Sequence, residues 1–240
     1  MELNREEINK KLQARYEDIW KKLKATQPSA IESLPTPLFL EVPQTYCDAK
    51  YKIMIFGQET HEWGNFSEHN LDGLIKQYHE FYENNVSFSK DKSQYNVIFF
   101  RAFKKIKKLL DKKFGEENSE VIWNNIVKIG KYEGKNLPSE EIMKWQEPLY
   151  ESMIKFEVEL LKPDIIIFFT GPNYDQYIKK AFGDISYEPI QDYKIVFIQS
   201  SNLPKNSIRT YHPGYLNRIG IDTYLKNIVD AIELYNTPMG

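Results

Sequence analysis

The stretch KIMIFGQETHEWG, residues 52–64, runs from a hydrophobic segment straight into Gln58, Glu59, Thr60, His61, Glu62 and Trp63. Its first five residues have the length and composition of a buried strand. A solvent-facing turn at the end of such a strand needs only Gly, Asn, Asp or Ser. An amide, a carboxylate, an imidazole and an indole in that place mark a candidate site, because α/β sheets bind ligands beyond the carboxyl ends of their strands.

Three more apolar runs have the same character: VIWNNIVKI at 121–129, DIIIFFT at 164–170 and KIVFIQS at 194–200. The segments between them, NVIFFRAFKKIKKLL, WQEPLYESMIKFEVELL and NYDQYIKKAF, carry apolar residues at helical spacing. Strands alternating with helices predict an α/β fold, a three-layer α/β/α sandwich around a four-stranded parallel sheet. GQETHEW, GPNYD and SSNLPKNSIRTYHPGY follow the first, third and fourth strands, the Trp123-Asn124-Asn125 triplet sits within the second, and these polar segments then converge on one edge.

Residues 1–50 read as a helical N-terminal extension with a Pro-rich wrap, and residues 51–240 as the α/β domain. In the extension, Ile8, Leu12, Tyr16, Ile19 and Leu23 recur at helical intervals. The following TQPSAIESLPTPLFLEVPQTY holds four prolines, too many for a helix interior, and predicts an extended connection.

Composition excludes several classes. A net charge of −2 argues against a protein that coats nucleic acid non-specifically, while leaving room for local contacts. The lysines of RAFKKIKKLLDKKFG fall opposite Phe103, Ile106, Leu109 and Leu110, as on a solvated helix face. The single cysteine, Cys47, rules out a disulfide framework, a thiolate zinc site and a cysteine-bound iron–sulfur cluster. With no GxxxxGK, no GxGxxG and no HExxH around the four histidines, neither a metal nor a cofactor is expected. No apolar run approaches a membrane span and the N-terminus has no signal-like core, so the expected location is cytoplasmic, without a membrane partner. Nothing in the sequence sets the oligomeric state.

The order of the motifs resembles the uracil-DNA glycosylase superfamily. Gly57-Gln58-Glu59-Thr60-His61 resembles the GQDPY of the family-1 enzymes, with glutamate where they carry a water-activating aspartate and Thr-His where they carry Pro-Tyr. NIVKI, beginning at Asn125, resembles their NTVLTV and the NVVKC of the iron–sulfur families. TYHPGYLNR, residues 210–218, resembles TYHPAYLLR and HPSPLS. VSFSKDKSQYNVIFFRAFKKI resembles the family-1 stretch LAFSV…SLxNIFKEL, and LKPDIIIFFTGPNYD resembles the superfamily's third strand. The resemblance spans about residues 50–230.

It implies a hydrolase, a DNA glycosylase that cleaves the N-glycosidic bond of uracil or a related damaged base, with DNA as partner. Such cleavage builds positive charge on the sugar and negative charge on the departing base, so it needs a carboxylate near one and a donor near the other. Glu59 and His212 are the expected catalytic pair. Gln58, Phe88 and Asn125 are the expected base-binding residues, Asn125 because an amide places a donor beside an acceptor. Asn124 is its neighbour, and strand alternation points only one of the two into the site. His61 and Trp63 occupy the gate, Tyr215 and Leu216 the position of the intercalating side chains, and Arg209, Arg218 and Lys205 the phosphate contacts. Two alternatives stand beside this reading: a non-catalytic nucleic-acid or nucleotide-binding member of the same fold, and an N-glycosidase for free nucleosides or modified nucleotides.

Overall fold

The computed structural model describes residues 4–28, 34–60, 63–83, 98–115, 118–131 and 137–236. Among the described residues six strands form one sheet: β1 (Tyr51–Glu59), β2 (Ser119–Val127), β3 (Ile165–Phe168), β4 (Ser186–Gln191), β5 (Ile195–Gln199) and β6 (Asn206–Thr210). Their order across the sheet is β2-β1-β3-β6-β5-β4. The α-helices among the described residues are α1 (Arg5–Ala25), α2 (Gln44–Asp48), α3 (Leu71–Phe81), α4 (Ile98–Phe114), α5 (Glu140–Trp145), α6 (Ile154–Leu161), α7 (Asp175–Phe182), α8 (Pro213–Ile219) and α9 (Ile221–Asn236).

The expected α/β class holds, but the sheet is six-stranded and mixed instead of four-stranded and parallel. β2, β1, β3 and β6 run parallel, whereas β5 is antiparallel to both β6 and β4. The run at 194–200, expected as the fourth parallel strand, is therefore reversed, and the parallel place belongs to Asn206–Thr210, expected as loop. Connection length explains the reversal. Residues 200–205 alone join β5 to β6, and a parallel pair needs a crossover of a dozen residues or more. At the other end of β5, Asp192 and Tyr193 both adopt positive φ, 44° and 54°, the backbone of a tight hairpin turn. β4 carries Pro189 on the sheet's outer edge, where a missing N–H costs no ladder bond.

Alternation along the strands assigns the helices to two faces. Trp123 of β2 packs against Phe99 and Phe100 of α4, while the next residue, Asn124, turns to Glu157 of α6. Phe56 of β1 stacks on Phe168, and Phe168 meets Phe182 of α7. Helices thus cover both faces, as near-continuous Ile, Val and Phe runs in the parallel strands require. α1 opens with a capping box between Asn4 and Glu7 and buries Ile8, Leu12, Tyr16, Ile19 and Leu23 in the same core as the sheet. Of the Pro-rich segment, residues 34–43 form neither helix nor strand, with backbone bonded at Thr36 to Trp63 and at Leu38 to Lys128, and its last residues enter α2 instead of staying extended. Among the described residues no helix is long and apolar enough to cross a membrane.

Candidate functional site at the carboxyl edge of the parallel strands

Because β1, β2, β3 and β6 are parallel, their carboxyl ends share one edge of the sheet. Within two residues of each of these ends lies a polar side chain with an unsatisfied atom: Glu59 Oε2, Asn125 Nδ2, Thr170 Oγ1 and Thr210 Oγ1 are all buried without a hydrogen-bond partner. Buried polar groups are nearly always paired, so these four atoms can take a ligand or water; the feature is not confined to this edge, since Tyr46 Oη and Gln77 Oε1 are also unpaired.

Gly57 of β1 lies opposite Asn125 of β2. A Cβ at Gly57 would stand 2.4 Å from Asn125 Oδ1 and 3.2 Å from the Phe99 ring, so only glycine lets the amide reach this depth. Asn125 Oδ1 accepts from Trp123 Nε1 at 3.1 Å, and the side chain is buried on the α4 face. Asn124 points to the opposite face, into a bonded cluster with Lys128 and Glu157.

Glu59 sits where β1 runs out beneath the turn Pro172–Tyr174 that precedes α7. Burial pushes its carboxyl up to about 7, against the opposing pull of the Lys131 ammonium and the Tyr174 hydroxyl. Gln58 donates to the carbonyl of Thr170 at 2.8 Å and so ties the end of β1 to the end of β3. The segment after β2 is equally well held. Gln146 bonds both backbone groups of Ile129, and Gly130 N–H donates to Thr60 Oγ1 at 2.9 Å.

His212 caps α8, its Nδ1 accepting from the Gly214 N–H at 3.1 Å. Its ring lies near-parallel to Phe99, centroids 6.1 Å apart. Burial lowers its pKa to about 4, so the imidazole is neutral at pH 7. With Nδ1 engaged as an acceptor, the remaining proton belongs on Nε2, which makes the ring a neutral hydrogen-bond donor. Glu59 and His212 occupy the same sheet edge with different neighbours, Tyr174 and Lys131 for one, Phe99 and Gly214 for the other.

No protein-family model matches the chain, and no curated protein matches it. The assignment of the site therefore rests on its residues.

Several expected site residues land elsewhere. Arg209 is 4% exposed; its guanidinium donates to the Tyr193 carbonyl, lies 3.2 Å from Asp175 and sits over the Tyr187 ring. Its position in the middle of the sheet, on the α7 side, spends the cation internally and leaves none of it for a phosphate. Leu216 is fully buried behind α8, since the helix turns that face inward, and offers no wedge for a base stack. Trp63 packs edge-on against Phe81 and Trp123, a core position for the residue expected at the gate. Tyr215 is partly exposed and stacks on Tyr211 at 4.5 Å, with Arg218 over its ring. Arg218 and Lys205 are exposed. His61 and Phe88 lie outside the described residues.

Phe99, Tyr174 and Lys131 are the site residues that sequence reasoning passed over. Phe99 was hidden among the apolar positions of an amphipathic helix, and its only distinguishing sign is its place in the first turn of α4. Among the described residues no group of three or more His, Cys, Asp or Glu side chains gathers as metal ligands do.

Proposed function

We propose that the chain is an N-glycosidase of the uracil-DNA glycosylase type, hydrolysing the bond between deoxyribose and uracil or a related damaged base in DNA. The observation that carries this reading is the buried, unpaired amide nitrogen of Asn125 on the same edge as a carboxylate balanced near neutrality and a neutral imidazole donor. Amide donors read base edges. A carboxyl that titrates near 7 suits a group that polarises water and faces the cationic sugar. The Nε2–H of His212 supplies the donor for the base oxygen, where negative charge gathers as the bond breaks. In the overall step water adds to the sugar carbon, and the departing base leaves with the proton that balances it.

A second reading, hydrolysis of free nucleosides or modified nucleotides, draws on the burial of Arg209, which removes one of the cations expected along a DNA track. Incubation with single- and double-stranded oligonucleotides bearing one uracil, followed by alkaline cleavage, tests the first reading. Scission at the uracil is the expected result. Intact strands together with release of free base from uridine nucleosides would overturn it in favour of the second.

A further inference from the structure

The Asn125 amide is used on one side only. Its oxygen accepts from the Trp123 indole, and its nitrogen, although buried, has no partner. An indole N–H donates and never accepts, so the atom facing it must be the carbonyl oxygen, and the amide cannot turn end for end without opposing donor to donor. The two residues stand at i and i+2 on one strand, on the same face.

The indole is itself held firmly. Trp63 and Phe100 meet it edge-on at 5.4 and 5.2 Å, Phe81 lies at 5.4 Å and Tyr78 lies near-parallel at 6.4 Å. The Tyr78 hydroxyl also donates to the Trp123 carbonyl at 2.8 Å, anchoring the backbone beneath the ring. Beyond the amide, the absent Cβ of Gly57 leaves the oxygen its place.

We infer that Trp123 sets the base specificity of the site: by holding the Asn125 oxygen it presents the amide's NH2 to the ligand, and so selects a base edge that carries a carbonyl over one that carries an amino group. This deepens the glycosidase reading and rests on it. A base carbonyl accepts from Nδ2 and satisfies it. An exocyclic amino group in the same place faces a donor with a donor, leaving both buried and unpaired, which is the arrangement that gives strong discrimination. An amide free to flip would accept from the amino group and lose the distinction. Trp123 touches Asn125 and not the base, which makes it a positioning residue.

The test compares wild type with Trp123→Phe on two single-stranded oligonucleotides that differ only in carrying uracil or cytosine at one position, with both binding and base release measured. Wild type should favour uracil by roughly tenfold to a hundredfold, the range of a well-placed base contact. Trp123→Phe should still bind uracil but lose most of that ratio. A ratio unchanged in Trp123→Phe overturns the lock and leaves the glycosidase reading standing. A wild type that handles neither base overturns both. Trp123→Phe removes part of a packed ring cluster, so a second measurement covers the case in which it does not fold. The Trp123 indole proton should exchange with solvent roughly tenfold faster or more in Asn125→Leu than in wild type, as expected when a buried donor loses its acceptor. Equal exchange in the two proteins overturns the lock.

Discussion

Lys128 and Glu157 form a fully buried ion pair, the lysine Nζ standing 2.8 Å from both carboxylate oxygens. Asn124 Oδ1 takes the third ammonium proton at 2.7 Å, and the Asn124 amide nitrogen returns a bond to Glu157. The Tyr16 hydroxyl of α1 donates to Glu157 and accepts from the Leu40 N–H, so one cluster joins α1, the Pro-rich segment, β2 and α6. The Asn125 N–H also donates to Asn124 Oδ1, which couples this cluster to the register of the candidate site.

Breaking that pair should be costly. Glu157→Gln leaves an ammonium with no counter-charge where burial already pushes its pKa down, and the expected loss is about 3–5 kcal/mol in urea unfolding. The double substitution Lys128→Met with Glu157→Leu removes both charges and should cost less than Glu157→Gln alone. A double variant no more stable than the single one would show that the charges are not what the cluster depends on.

Glu59 links activity to stability through pH. Its carboxyl binds a proton more tightly in the folded chain, near 7, than at the ordinary 4.5, so its stabilising contribution is complete below pH 4.5 and is lost as pH rises through 7. On the proposed function, base release needs the ionised form and should fall as pH drops below 7. Glu59→Gln should slow release by roughly a hundredfold or more and abolish that inflection. Above pH 7 the same variant should be more stable than wild type, by about 1–3 kcal/mol, because it no longer buries a charge. Thermal melts across the pH range check the sign.

His212 should behave as a donor that is neutral throughout the working range. Since its pKa lies near 4, no inflection between pH 5 and 8 should depend on it, and His212→Ala should lower the rate without shifting the midpoint near 7. The expected loss is roughly a hundredfold to a thousandfold, as for removal of a donor aimed at a developing anion. A midpoint that moves in His212→Ala would mean that the imidazole carries the titration.

Asn125 and Asn124 should respond differently to the same change. Asn125→Asp keeps an oxygen for Trp123 and turns the free nitrogen into an acceptor, which should shift preference from uracil towards cytosine by about 1–3 kcal/mol. Asn124→Asp places a second carboxylate beside Glu157 in the opposite face and should change stability, not base preference. Parallel binding assays and unfolding curves on the two variants separate the effects.

Gly130 should tolerate no side chain. A Cβ there would stand 1.7 Å from the Thr60 carbonyl oxygen, which belongs to backbone pinned between β1 and the segment after β2. Gly130→Ala should destabilise by at least about 1–3 kcal/mol, the usual cost of forced overpacking, and should disturb Glu59, which lies one residue before Thr60. A variant with wild-type melting temperature and activity would show that this junction can open freely.

The sequence by itself determined the local elements. The apolar spacing of α1, the positions of β1, β2 and β3, and the polar residues that close them all follow from short-range periodicity, which depends on the pitch of a helix and the pleat of a strand. It also separated Asn124 from Asn125, because neighbours on a strand must point to opposite faces. What it did not carry was pairing. The reversal of β5 and the promotion of Asn206–Thr210 to the fourth parallel strand depend on a short link and on a turn of positive φ without its usual Asn-Gly or Asp-Gly signature. Arg209 and Leu216 looked available because a string of residues does not show what stands behind it; Asp175, Tyr187 and the inner side of α8 come from distant segments. Only the tertiary structure brought Trp123 to the Asn125 oxygen and Gly57 to its side, since burial and hydrogen-bond satisfaction are properties of the whole packed chain and not of any window along it.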